Sequence, residues 1–118
     1  KSAWEAEKES ILAQQETLVQ AERAVRAEVE SAAKTYSQLT KVRESASLAL
    51  AAAKQNYEVA LKAQELGKFN LLELESAQVS LTNAEANFVG ATYDFLIAEA
   101  RLKLVLGEPL PGEINLRP

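Results

Sequence analysis

The side chains that most often carry catalysis are missing from this chain. Its 118 residues include no His and no Cys, so the commonest general base, the strongest nucleophile and the thiolate metal ligands are all absent. The acids are dispersed. Glu73 and Glu75 are two positions apart, a spacing that turns them to different sides of a helix and makes them a poor acid–base pair or metal site. As acids in the first turn of a helix they have an ordinary reason to be there, since the positive end of the helix dipole favours them. The four Gly stand alone at 67, 90, 107 and 112, so no Gly-rich phosphate cradle is formed. Tyr36, Tyr57, Phe88 and Phe95 could line a ligand pocket, but their helical spacing is better explained by core packing. We therefore expect no catalytic residue, no cofactor and no metal, and a protein that is not an enzyme.

What would position any functional residue is helix. Hydrophobic residues make up 47% of the chain, and 21 of them are Ala, the best helix former because it gives up no rotamers on folding. Residues 1–66 contain neither Gly nor Pro. The 13 basic and 17 acidic residues are interspersed and sum to a net charge of -4. A nucleic-acid surface needs clustered Lys and Arg, and an anionic membrane face attracts basic segments, so neither partner is expected. No apolar run approaches the roughly 20 residues of a membrane helix. The sequence contains no Met, and we expect a fragment or processed chain of a longer protein, itself not inserted in a membrane.

Every seventh residue from Trp4 is apolar: Trp4, Ile11, Leu18, Val25, Ala32, Leu39, Ala46, Ala53 and Ala60. The companion seam, four residues on, starts polar at Lys8, Gln15 and Glu22. It is largely apolar from Val29, through Tyr36, Arg43, Leu50 and Tyr57 to Gln64. A strict seven-residue repeat is the mark of helices that pack as a left-handed coiled coil. The pattern predicts one helix over about 3–66, roughly 95 Å long at 1.5 Å per residue. Glu22 with Arg26, Glu30 with Lys34, and Glu58 with Lys62 have the i,i+4 spacing of supporting ion pairs.

The helix should stop at Leu66-Gly67-Lys68-Phe69-Asn70. Gly67 suits the left-handed position that closes a helix. Asn70 with Glu73 has the capping-box spacing, and Phe69 with Leu74 that of a hydrophobic staple. A turn at 67–70 is followed by a second helix over about 71–106, ended by Gly107 and Pro109. Its seams read Leu74, Leu81, Phe88, Phe95, Leu102 and Ala77, Ala84, Ala91, Ala98, Val105. Folded about the turn, Ala60, Ala53, Ala46, Leu39 and Ala32 meet Ala77, Ala84, Ala91, Ala98 and Val105, while Tyr57, Leu50 and Tyr36 face Leu81, Phe88 and Leu102. Pairing should end near Val29, where the companion seam turns polar. Residues 107–118 read as a loop or extended tail. The predicted class is all-α: one long antiparallel coiled-coil hairpin with a shorter returning helix. Because Trp4, Ile11, Leu18 and Val25 would lie bare, two variants stay open. The first segment folds back after a break near Ser31 to Thr40, giving a three-helix bundle, or the chain self-associates. Gly90 sits inside the second helix. It either admits the close approach of another helix or is merely tolerated.

Residues 56–107 also carry a family resemblance. They read Asn56-Tyr57-Glu58, then Leu66 to Gln78 as LGKFNLLELESAQ, then Ala91-Thr92-Tyr93-Asp94-Phe95-Leu96-Ile97-Ala98, closing on Leu104-Val105-Leu106-Gly107. This resembles the second repeat of the TolC-like outer-membrane efflux protein family, which shows a Gly at the hairpin tip, a Leu-Leu-acid-Leu-x-x-Ala-Gln helix start and a closing Leu-Gly. Residues 1–55 match only as a long heptad helix.

The resemblance implies a trimeric conduit whose paired long helices form a barrel across the periplasm of a Gram-negative envelope, with outer-membrane β-strands elsewhere. The resemblance implies a part in a tripartite efflux or type I secretion system. It implies as partners a periplasmic adaptor protein and an inner-membrane pump. By the same resemblance Leu66, Gly67, Lys68, Phe69 and Asn70 form the adaptor-docking tip, and Glu73 is an acid at the channel entrance. Ser76 falls where a second acid is often found, and Gln64 and Phe69 fall where a typical member has Tyr and Arg in its closing contacts, so neither the acid pair nor that latch is reproduced. The stretch Leu106-Gly107-Glu108-Pro109-Leu110 is similar to members that export heavy-metal cations. Two other readings stand beside this one: a stand-alone structural coiled-coil or three-helix module, and the hairpin of an adaptor protein.

Overall fold

The computed structural model describes residues 2–68 and 70–107. They form two helices, α1 (Ala3–Glu65) of 63 residues and α2 (Leu71–Val105) of 35 residues, packed against each other in a rod 97 Å long. The expected hairpin is the observed fold, with each helix ending one residue earlier than the sequence suggested because Leu66 and Leu106 act as C-caps. Gly107 closes α2 with φ 79°; the rest of the expected tail, with Pro109, lies outside the described residues.

The α1 start has a device the sequence reading passed over. Ser2 is extended, and its side chain accepts a 3.2 Å hydrogen bond from the Glu5 backbone N–H, satisfying one of the donors a helix start leaves free. From there the helix runs without a break. The interruption considered near Ser31 to Thr40 does not occur, and residues 2–28 do not fold back: they are exposed throughout. The physical reason is local. No Gly or Pro intervenes, and Thr40, the residue best able to disturb the ladder, turns its Oγ1 back to donate to the Tyr36 carbonyl at 2.7 Å; Thr17 does the same to Ala13 at 2.9 Å.

The core follows the two seams. Ala32, Ala53, Ala91, Phe95 and Ala98 are buried. Val29, Tyr36, Leu39, Arg43, Ala46, Leu50, Tyr57 and Ala60 of α1 are half-buried, as are Leu74, Ala77, Leu81, Ala84, Phe88, Leu102 and Val105 of α2. Burial begins at Val29, where the companion seam becomes apolar. Within the paired stretch one seam position of α1, Arg43, is charged, and α2 accommodates it through Phe95. The guanidinium carbon lies 4.9 Å from the Phe95 ring centroid, and the Tyr36 ring reaches the same Phe95 at 5.4 Å. An Arg over an aromatic face keeps its charge in water while its stem covers apolar surface. Beside this cluster the helices leave an open groove of about 320 Å³ lined by Thr40, Arg43, Glu44, Ser47, Leu48, Phe88 and Phe95. The aromatic seam is therefore packing with a shallow groove at its edge rather than an enclosed pocket.

The three i,i+4 pairs expected on α1 do not close to ion-pair distance. An ion pair of that spacing forms instead on α2, from Lys103 to Glu99 at 3.5 Å. Long exposed side chains gain little from being held together in water, so Glu22, Arg26, Glu30, Lys34, Glu58 and Lys62 serve as a solvated surface.

Two outcomes test this arrangement. Cysteines replacing Ala53 and Ala84 should form an intramolecular disulfide under mild oxidation, and retained helicity without crosslinking would show that the helices are out of this register. Trp4, Ile11, Leu18 and Val25 are each more than half exposed, so the chain should self-associate with rising concentration; analytical ultracentrifugation should show the effect weakened by Leu18→Glu.

Candidate functional site

The turn is built by backbone hydrogen bonds. Lys68 N–H donates to the Ala63 carbonyl at 2.9 Å and Gly67 N–H to Gln64 at 3.1 Å, while Leu66 N–H keeps the helical bond to Lys62 at 3.1 Å. This is the paired-bond closure in which the residue after the C-cap is left-handed. Gly67 has φ 77°, a conformation in which any Cβ is strained. A Cβ there would meet no atom within 4 Å, so the demand for glycine comes from the backbone angle and not from crowding.

Soon afterwards the chain re-enters a helix. Asn70 is extended (φ -132°, ψ 102°), and its Oδ1 accepts from the Leu72 and Glu73 backbone N–H groups at 3.1 and 3.3 Å. Glu73 lies in the first turn of α2, favourably placed against the dipole. Phe69, and with it the expected staple to Leu74, lies outside the described residues.

Leu66, Gly67, Lys68, Asn70 and Glu73 are thus brought together at one end of the rod, all exposed. The structure adds two residues that the sequence reading left out of the site. Leu71 and Leu72 are 53% and 75% exposed beside Leu66 at 72%, so the tip is a small apolar cap flanked by Lys68 and Glu73. The signal was available: neither leucine belongs to a seam, and a large apolar residue off the seam has nothing to pack on in its own hairpin.

The same reasoning exposes a larger feature. On α2, Leu72, Val79, Ala86, Tyr93 and Ala100 recur every seven residues, with Val79 five positions after Leu74 of one seam and two after Ala77 of the other. At about 100° per residue those offsets place the series on the side of the helix away from α1. Leu72, Val79 and Tyr93 are each 59–75% exposed, and Val89, Leu96, Ile97 and Leu104 on or beside that side are 51–66% exposed. α2 therefore has two apolar faces on opposite sides, one against α1 and one open. Among the described residues no group of His, Cys, Asp and Glu could hold a metal ion, and no helix is long and apolar enough to cross a membrane.

A family model for the outer membrane efflux protein matches residues 1–108. The chain belongs to the outer membrane efflux protein family. The match extends the resemblance read from residues 56–107 through the whole of α1, and it separates this chain from the adaptor-hairpin and stand-alone readings. No curated protein and no solved structure matches the chain significantly.

Asn70→Ala should lower the stability of this efflux-family hairpin by about 1 kcal/mol, because two backbone donors lose their acceptor. Thermal unfolding followed by circular dichroism measures it, and Asn70→Ser should recover most of the loss.

Proposed function

We propose that this chain is part of the wall of a periplasmic α-barrel in a trimeric outer-membrane channel, and that its tip docks the periplasmic adaptor protein of a tripartite efflux or type I secretion system linked to an inner-membrane pump. The observation that carries the wall reading is the pair of opposed apolar faces on α2. A two-helix hairpin needs one apolar stripe per helix. A helix in a closed wall needs two, because it has a neighbour on each side. The rod length suits a long barrel wall, and membership in an outer-membrane efflux family supports a barrel of this kind.

The docking reading rests on the tip. Leu66, Gly67, Lys68, Asn70 and Glu73 converge where both helices end, with Leu71 and Leu72 added as exposed apolar contacts. Exposed large apolar side chains on a compact turn form a surface suited to partner contact, and Phe69 belongs to the same segment. Glu73, in the first turn of α2, would face the channel entrance as a single acid per hairpin of this kind, since Ser76 supplies no second one.

The experiment separates docking from assembly. Gly67→Val places a β-branched residue at φ 77°, a local strain of about 1–3 kcal/mol that the long seams should absorb with little change in helicity. In the full-length protein, trimers should still reach the outer membrane while adaptor crosslinking and export fall. Gly67→Asn, which tolerates the left-handed region, should retain more activity than Gly67→Val. Normal export by Gly67→Val and Phe69→Ala trimers would reduce the tip to a connector.

A further inference from the structure

We propose that Gly90 marks the point of closest approach between α2 and a helix of the neighbouring protomer, a second copy of this chain's parent, whose bulky apolar side chain rests on the bare backbone there. This rests on the wall reading above and adds a specific contact to it. A glycine in mid-helix weakens the helix relative to alanine, so its presence calls for a reason. The reason is not conformational: among the described residues the glycines with positive φ are Gly67 and Gly107, and Gly90 sits in ordinary helix. Nor does it lie within this hairpin, since a Cβ added at Gly90 would meet no atom within 4 Å. α1 gains nothing from the missing side chain.

The surroundings of Gly90 point outward. Ala86, Val89, Tyr93 and Ile97 flank it on one side, with Val89 66%, Tyr93 68% and Ile97 55% exposed, and Asn87 and Asp94 flank it on the other. Asp94 and Arg101, seven residues apart, border this apolar stripe along one edge rather than crossing it. The occupant is an α-helix running along α2. The inner face of the same helix is already filled by a helix, and α2 carries five acids against two bases, unlike the Lys- and Arg-rich helices that lie on a lipid surface. A glycine within the stripe allows the two axes to close toward the short end of the 8–10 Å range for packed helices.

The test compares Gly90→Ala, Gly90→Leu and Glu85→Leu, the last an exposed position about 140° round the helix from Gly90. In the 118-residue chain, Gly90→Ala and Gly90→Leu should both keep full helicity and raise the thermal midpoint by about 4 °C, since a weak helix position is removed and the space is open. In the full-length channel, Gly90→Leu should reduce the trimer fraction about tenfold, as overpacking a close contact does. Gly90→Ala should reduce it less, and Glu85→Leu should leave it unchanged. Trimers of Gly90→Leu equal in yield and heat resistance to wild type would overturn the inference while leaving the wall reading intact. A fall in the midpoint of the isolated chain would overturn it too, by showing that Gly90 serves its own hairpin. A wild-type channel that remains monomeric in membranes overturns the wall reading and this contact with it.

Discussion

The structure depends on one constraint, the seven-residue spacing of small side chains along both helices. A straight α-helix drifts by roughly 20° per heptad relative to that spacing, so the two helices keep Ala32, Ala53, Ala91 and Ala98 buried by coiling about each other. Alanine makes this contact close and uniform, but it also makes it thin. Phe95 is the large side chain among the buried residues described, and it serves as a shared platform for Tyr36 and Arg43. Leu72, Val79, Tyr93 and Ile97 lie outside the interface. The hairpin thus buries mainly alanines and leaves several of its larger apolar residues uncovered.

Length and closure then divide the labour between the middle and the end of the rod. The 63 residues of α1 carry no internal break, so the position of the turn is set rigidly with respect to both faces. At the turn, backbone hydrogen bonds from Gly67 and Lys68 and the Asn70 cap satisfy groups that two helix ends leave free. Side chains are thereby released from structural duty. Leu66, Lys68, Leu71 and Leu72 are exposed because closing the turn does not require them, which is the condition for an end that meets a partner.

Much of this was legible in the residues. The period of Trp4 to Ala60, the punctuation at Gly67 and Asn70, and the change from polar to apolar at Val29 located the helices, the turn and the limit of pairing. Each of these rests on local chemistry, namely propensity, capping and stripe geometry, which a single chain carries in its own order. The place of Leu66, Gly67, Lys68 and Asn70 at the turn was legible for the same reason; the docking role came from the family resemblance alone. What went unread was the second stripe on α2. Two seven-residue patterns overlap there, and a reader following Leu74 and Ala77 takes Val79 and Tyr93 as background.

The sequence by itself determined that the chain is a helical hairpin and where it turns, because heptad period and capping act over a few residues. It also determined membership in an efflux family, through a pattern that spans 1–108. Tertiary structure decided two further matters: Arg43 is held over Phe95, and Gly90 faces away from α1. Those outcomes depend on which side of one helix meets the other. The side left uncovered is the difference between a residue's position in the chain and the space around it, which folding alone assigns.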